Sequence, residues 1–234
     1  MDLIDTIIEY ILLPSENPDC KYSTVTNGIY DPTFLFKVCD KIKEKCGKDS
    51  IDINFSYDIK HRYKSENDRK LTIENINKFH KRYDYKVGVQ MILTKYVINQ
   101  IQQNKFDIHD FLYNIIPGSI LSFLYPHPIH TGVEVPDFFF KRSELLWMLQ
   151  YLRTNYYDIY VSFINSTKNS GVFKYTGYRN RIGFENDITQ KPCLSDGKEI
   201  LNEKCGHSML YKCYTDSEKC MLCDIKNFDG DFIC

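Results

Sequence analysis

Apolar positions recur along the chain with two periods, and each period marks an element. Residues 3–13 (LIDTIIEYILL) keep an apolar face at helical spacing, with Asp2 placed to cap and Pro14 to stop them. The stretch YDPTFLFKVCDKIKEKCG repeats this more fully. Asp31 caps, Pro32 takes the first helical position, Phe34, Val38, Cys39 and Ile42 share a face, and Gly47 ends the helix. The period then switches to two in SIDINFSYDI, where Ile51, Ile53, Phe55, Tyr57 and Ile59 alternate with polar residues as in a half-buried strand.

Further on, residues 72–83 and 87–103 read as helices, the second apolar over much of its surface through Val87, Val89, Met91, Ile92, Val97, Ile98 and Ile101. FDIHDFLYNII continues in helical register up to Pro117-Gly118. The proline-rich YPHPIHTGVEVPDFFF is an ordered loop or a boundary. KRSELLWMLQYLRTN returns as a helix that buries Leu145, Leu146, Met148, Leu149 and Leu152. YYDIYVSFI and GVFKYTGYRNRIGF, rich in aromatic and β-branched residues, read as strands joined by a turn.

These elements make an α+β protein, mainly helical, with a principal domain over 1–185. Near residue 186 the aromatics thin out and cysteines begin, so 186–234 is expected to be a small Cys-rich module of its own. No repeats or low-complexity tracts interrupt the pattern.

Composition changes this picture in three ways. The 234 residues carry a formal charge of −1, which removes the global basic field of a non-specific nucleic-acid binder. Alanine is absent while tyrosine occurs 18 times, a bias expected of an AT-rich genome such as that of a large DNA virus, a parasite or a plasmid. The helices therefore lack their best intrinsic former and depend on packing. The N-terminal apolar stretch is too short to span a bilayer and is preceded by an acid rather than by Lys or Arg, so no membrane partner is expected. An intracellular location, cytoplasmic or nuclear, follows; a secreted protein would require a leader removed from this chain. Nine cysteines in a reducing compartment point to metal ligation before disulfides.

Five of those cysteines and a histidine fall in KPCLSDGKEILNEKCGHSMLYKCYTDSEKCMLCD, residues 191–224. A tetrahedral zinc site needs four soft or borderline ligands, and Cys-x₂-Cys supplies two from one tight turn. Cys220 and Cys223 have that spacing, and Cys205 with His207 forms a second close pair. Together they complete a Cys₃His set, leaving Cys193, Cys213 and Cys234 over. The same residues are open to two other readings: a disulfide or thiol cluster that includes Cys234, or a reactive His207 or cysteine.

CGHSMLYKC…KCMLC resembles the second half of a RING finger, in which Cys-x-His and a final Cys-x₂-Cys build one of two zinc sites. The resemblance covers about residues 186–224 and falls on Cys205, His207, Cys220 and Cys223. The other RING site would need Gln190 and Leu210 as cysteines beside Cys193 and Cys213, so one site is whole and the other halved. That pattern is similar to the SP-RING subgroup of SUMO ligases, which keeps a single zinc. The resemblance implies zinc as cofactor, a protein partner such as a conjugating enzyme or host factor, and a role as a ubiquitin- or SUMO-type ligase or adaptor. This chain departs from the ligase pattern where Pro192, the short link YTDSEK, Met221 and Asp224 stand.

Other constellations are sparser. His127, His130, Glu134 and Asp137 could hold a metal, and His109-Asp110 is a lone pair on a helix. KYTGYRNRIGF interleaves Arg179 and Arg181 with Tyr175, Tyr178 and Phe184, as single-stranded nucleic acid would require. The alternative from another class is a metal-independent RNA-cleaving enzyme or toxin with structural disulfides in its tail. Its base, acid and phosphate-binding cation would be drawn from His207, Glu9 or Glu185, and Arg153 or Arg179.

Overall fold

The computed structural model describes residues 22–46, 51–60, 62–83, 87–126, 137–170, 194–195, 198–199, 214–217 and 219–229. Their elements run β1 (Tyr22–Thr26), α1 (Thr33–Cys46), β2 (Ile51–Tyr57), α2 (Glu66–Tyr83), β3 (Val87–Ile92) and α3 (Lys95–Gln102). A short turn α4 (Ile108–Asp110) passes directly into a π-helical stretch (Phe111–Ile115), followed by β4 (Ser119–Leu124). Then come α5 (Arg142–Asn155), α6 (Tyr157–Ser170), the short antiparallel pair β5 (Leu194–Ser195) and β6 (Lys198–Glu199), and α7 (Met221–Asp229).

Helices thus combine with one four-stranded sheet of order β1-β2-β3-β4, in which β1–β2 and β2–β3 are parallel. Consecutive parallel strands need a crossover, and α1 and α2 provide them. By contact the chain divides into two compact units, residues 1–91 with 107–122, and residues 92–106 with 123–234. The expected boundary at 185–186 lies outside the described residues, as do the expected helix over 3–13, the Gly47 stop and the strand GVFKYTGYRNRIGF.

In the first unit, β2 alternates as its sequence demands, with Ile51, Ile53, Phe55 and Tyr57 buried. Phe79 packs on Phe55 and on Phe36, with ring centroids 5.5 and 4.5 Å apart, and Tyr57 meets Phe111 at 4.9 Å. Asp31 accepts the Thr33 backbone N–H on Oδ1 at 2.9 Å just ahead of α1, whose first intrahelical bond goes to the Pro32 carbonyl, so Pro32 is the N-cap and not the first helical residue. The buried side of α1 is rotated from the expected one: Cys39 and Ile42 are buried, whereas Phe34 is exposed and Phe36 does the aromatic packing. Buried Asn75 of α2 donates to the carbonyls of Gly28 and Tyr30, which fixes the loop leaving β1. Gly118 has φ +79°, and a Cβ there would overlap the His80 ring, so the predicted Pro117-Gly118 stop requires its glycine.

Two expected elements differ in kind. Residues 87–103 are not one helix: 87–92 form β3, and α3 begins only after Thr94, whose side chain caps it by accepting from the Val97 N–H. Val87, Val89 and Met91 are fully buried while Gly88 and Gln90 are half-buried, so period two governs this segment. YYDIYVSFI, expected as a strand, is the first half of α6, with Ile159, Tyr160, Phe163 and Ile164 buried at helical spacing. Tertiary burial overrides the strand propensity of its β-branched and aromatic residues there.

The second unit gathers α3, α5, α6 and α7. Leu145, Met148, Leu149 and Leu152 of α5 are fully buried, as expected, together with Phe163 of α6 and Met221, Leu222 and Ile225 of α7.

Candidate functional site

The Cys220–Cys223 pair lies at the head of α7. The Cys220 carbonyl accepts the Asp224 backbone N–H at 3.3 Å, which makes Cys220 the N-cap residue and Cys223 the third residue of the helix. These are the N-cap and N3 positions of the helix, the two that a capping box uses. Cys220 is only 6% exposed and Cys223 is half-buried. The expected tight turn of CMLC is therefore a helix N-terminus, with the partial positive charge that favours anions.

What holds that helix start comes from far along the chain. Phe140 and Tyr214 form a parallel bridge, and the Thr215 N–H donates to the Phe140 carbonyl at 3.1 Å. Asp216 then accepts the backbone N–H of Arg142 at 2.9 Å, across 74 residues, and so satisfies an orphan donor at the start of α5. Glu144 reaches back to the Lys141 N–H at the same helix start. One turn into α7, the carboxylate of Asp224, 6% exposed, is gripped on both oxygens. Arg142 donates from Nε to Oδ2 at 2.7 Å and from Nη2 to Oδ1 at 2.8 Å, and the Tyr214 hydroxyl donates to Oδ2 at 2.9 Å.

That geometry is bidentate, the strong form of the Arg–carboxylate pair. The hydrogen bond to Asp224 raises the Arg142 guanidinium above even its ordinary value. Met221, Leu222 and Ile225 complete the attachment; burying three such side chains contributes roughly 5–8 kcal/mol as an upper bound. Near the end of α7, Phe228 lies 6.3 Å from the ring of buried Tyr160 and takes the Arg153 guanidinium at 5.9 Å.

Of the four expected zinc ligands, Cys220 and Cys223 stand at the N-cap and third positions of α7, while Cys205 and His207 lie outside the described residues, as do Cys193, Cys213 and Cys234. Among the described residues no group of three or more His, Cys, Asp or Glu is arranged to hold a metal. Asp224, the nearest carboxylate in sequence, is committed to Arg142 and Tyr214 and does not fit as a ligand. A thiol pair spaced across a helix start fits half of a tetrahedral set.

The other candidates separate. His127, His130 and Glu134 lie outside the described residues, and Asp137 forms a turn at φ +65°, its carbonyl accepting from the Tyr96 N–H and its carboxylate 3.8 Å from Lys95. His109 stacks on Tyr113 at 4.4 Å, and Asp110 accepts from Asn114. Glu9, Tyr175, Tyr178, Arg179, Arg181, Phe184 and Glu185 lie outside the described residues. Cys39 is a core thiol, pushed up to about 12 by burial and then by neighbouring Asp40, which leaves it protonated and inert.

Arg142 and Asp216 have no sequence signal as site residues, because each acts on a partner distant in the chain, and Tyr214 carries no motif that marks it. Asp224 was visible only as a departure from the RING pattern. No helix among the described residues is long and apolar enough to cross a membrane. Compared with known proteins, the chain matches no family model, no curated protein and no solved structure.

Proposed function

We propose that this chain is a zinc-binding protein-interaction protein, in which Cys205, His207, Cys220 and Cys223 hold one structural zinc. The observation that carries this reading is the Cys220–Cys223 pair at the N-terminus of a helix anchored in the core of the second unit. Thiolate is the form that binds zinc, and a helix N-terminus favours the anion. Zinc supplies free energy of folding to a segment with little apolar surface of its own.

The surroundings favour an interaction module over a ubiquitin- or SUMO-type ligase. Met221 and Leu222, between the two cysteines, are fully buried, and Asp224, just after them, is turned inward onto Arg142. In the RING-like alignment these positions would face a conjugating enzyme; here they face the protein's own core. Trp147 and Tyr157 in the same unit are 36% and 62% exposed, aromatic anchors of the kind enriched at protein interfaces.

Elemental analysis with a thiol count on protein purified without reductant tests the reading directly, with one zinc per chain expected. Absence of zinc, with the thiols consumed, would instead favour disulfides. Incubation with ubiquitin or SUMO activating and conjugating enzymes is expected to give no stimulated chain formation. Stimulation that Cys205→Ser abolishes would establish ligase activity and overturn the interaction-only form.

A further inference from the structure

We propose that the outward face of α5 is a docking surface for a proline-rich segment of a partner protein, bound as a polyproline-II helix across Trp147, Tyr151 and Tyr156. The inference rests on the interaction half of the reading above and on none of the expected metal ligands. Leu145, Met148, Leu149 and Leu152 bury one side of α5. The helical period sets Ser143, Trp147, Gln150 and Thr154 on the opposite side, all of them exposed, with half-buried Tyr151 at its margin. Trp147 and Tyr151, four residues apart, stack with centroids at 5.1 Å and planes within 12° of each other. Tyr156 follows at 5.8 Å from Tyr151, just past the end of the helix.

Charge and hydrogen bonding select among the ligands that stack on such a row. Ser143, Trp147, Gln150, Tyr151, Thr154 and Tyr156 are all uncharged. Single-stranded nucleic acid needs cations beside its stacking platforms, and Arg153 of this helix gives its guanidinium to Phe228 instead. A sugar needs side-chain amides or carboxylates for its hydroxyls. Here the Gln150 amide donates to Thr154, the Asn155 amide to the Tyr151 carbonyl, and Glu144 accepts from the Lys141 N–H. The row itself offers ring surface with an indole N–H and phenol O–H groups as donors. A proline-rich segment is the complement of that surface. Its prolines have no N–H, so its backbone presents carbonyl acceptors, already set in an extended helix without internal hydrogen bonds. One turn of that helix covers roughly 9 Å, close to the reach of the two ring-to-ring steps. Aromatic rows are the recurrent receptor for such segments.

The test uses the full chain with a fluorescein-labelled proline decamer, read by anisotropy, and the emission of Trp147, the single tryptophan of the chain. Saturable binding is expected, with a shift of the Trp147 emission at the same midpoint. Trp147→Ala and Tyr151→Ala should each weaken the decamer about 10- to 30-fold, as loss of a central aromatic anchor does. Tyr113→Ala removes a 66% exposed tyrosine of the first unit and should stay within about twofold of wild type.

No saturable binding to the wild-type chain, or wild-type affinity in both α5 variants, would overturn the inference. Equal binding of a glycine-serine decamer would overturn it too, as would tighter binding of a thymidylate decamer or of cellohexaose, because the face would then select another chemistry. Should an alanine variant fail to fold, the wild-type Trp147 emission decides. A saturable shift with unlabelled decamer supports the inference, and an unchanged emission overturns it. A chain that binds zinc but not the decamer overturns this inference alone. A chain that binds the decamer without zinc overturns the zinc reading and leaves this inference standing.

Discussion

A buried carboxylate is stable only while its partners stay in place. Asp224 has three donors and Arg142 contributes two of them. Asp224→Ala removes the bidentate counter-charge of the guanidinium, a change that costs about 3–5 kcal/mol when a pair is fully buried. The Arg142 side chain is 35% exposed, so solvent screens part of that loss and about 2–3 kcal/mol is expected. Urea unfolding followed by the fluorescence of Trp147 would report it. A loss under 1 kcal/mol would mean the pair is no more than a surface salt bridge.

Asp40 in the first unit is also held by an arginine and a tyrosine. Burial alone would raise its carboxyl, but hydrogen bonds from Arg82 and Tyr83, with the charges of Arg82 and Lys43, hold it below the ordinary value. A depressed folded value means that its stabilisation is complete above the unfolded value of about 3.9 and fades as pH falls through the folded one. Asp40→Asn should therefore be less stable than wild type at neutral pH, with the two converging once pH falls below the depressed folded value. Parallel stability curves from pH 7 to pH 2 would show that Asp40 contributes nothing through its charge.

At the scale of elements, legibility followed whether one period ruled a segment. α5 reads directly from its sequence because Leu145, Met148, Leu149 and Leu152 make an uninterrupted stripe. β3 and α3 merge on paper, since Val87, Val89 and Met91 fit either period, and only Thr94 marks the break. α6 misleads more deeply, because tyrosines and β-branched residues favour strands while Ile159, Tyr160, Phe163 and Ile164 are buried at helical spacing. The cysteine pair was legible from spacing; its clamp was not, because Arg142 lies 82 residues from Asp224. Two substitutions check the helical reading of α6. Phe163→Ala empties a fully buried position and should cost about 3–5 kcal/mol, whereas Tyr157→Ala, on the exposed side, should fall within about 0.5 kcal/mol of wild type. Equal effects from the two would be incompatible with the observed burial.

At the scale of the molecule, the proposed zinc predicts that the two units respond differently to chelation. Zinc that binds only the native C-terminal segment stabilises it by mass action, and its removal withdraws that contribution. Hydrogen exchange on the reduced protein should speed up in α7 and the first turn of α5 when a chelator is added. Amides of β2 and α2, in the first unit, should keep their rates. Uniform acceleration across both units would show that the chain unfolds as one and that zinc supports all of it.

The bond from Asp216 to the start of α5 also orders events in time. During synthesis at about 5–20 residues per second, α5 is made roughly 4–16 s before the residues that cap and clamp it. In that interval the nascent chain holds an apolar helix, Leu145 to Leu152, whose cover from Met221, Leu222 and Ile225 has not yet been translated. Emergence of α7, not of α5, is the moment at which this half of the protein can close. Until then its exposed leucines are a natural target for chaperones.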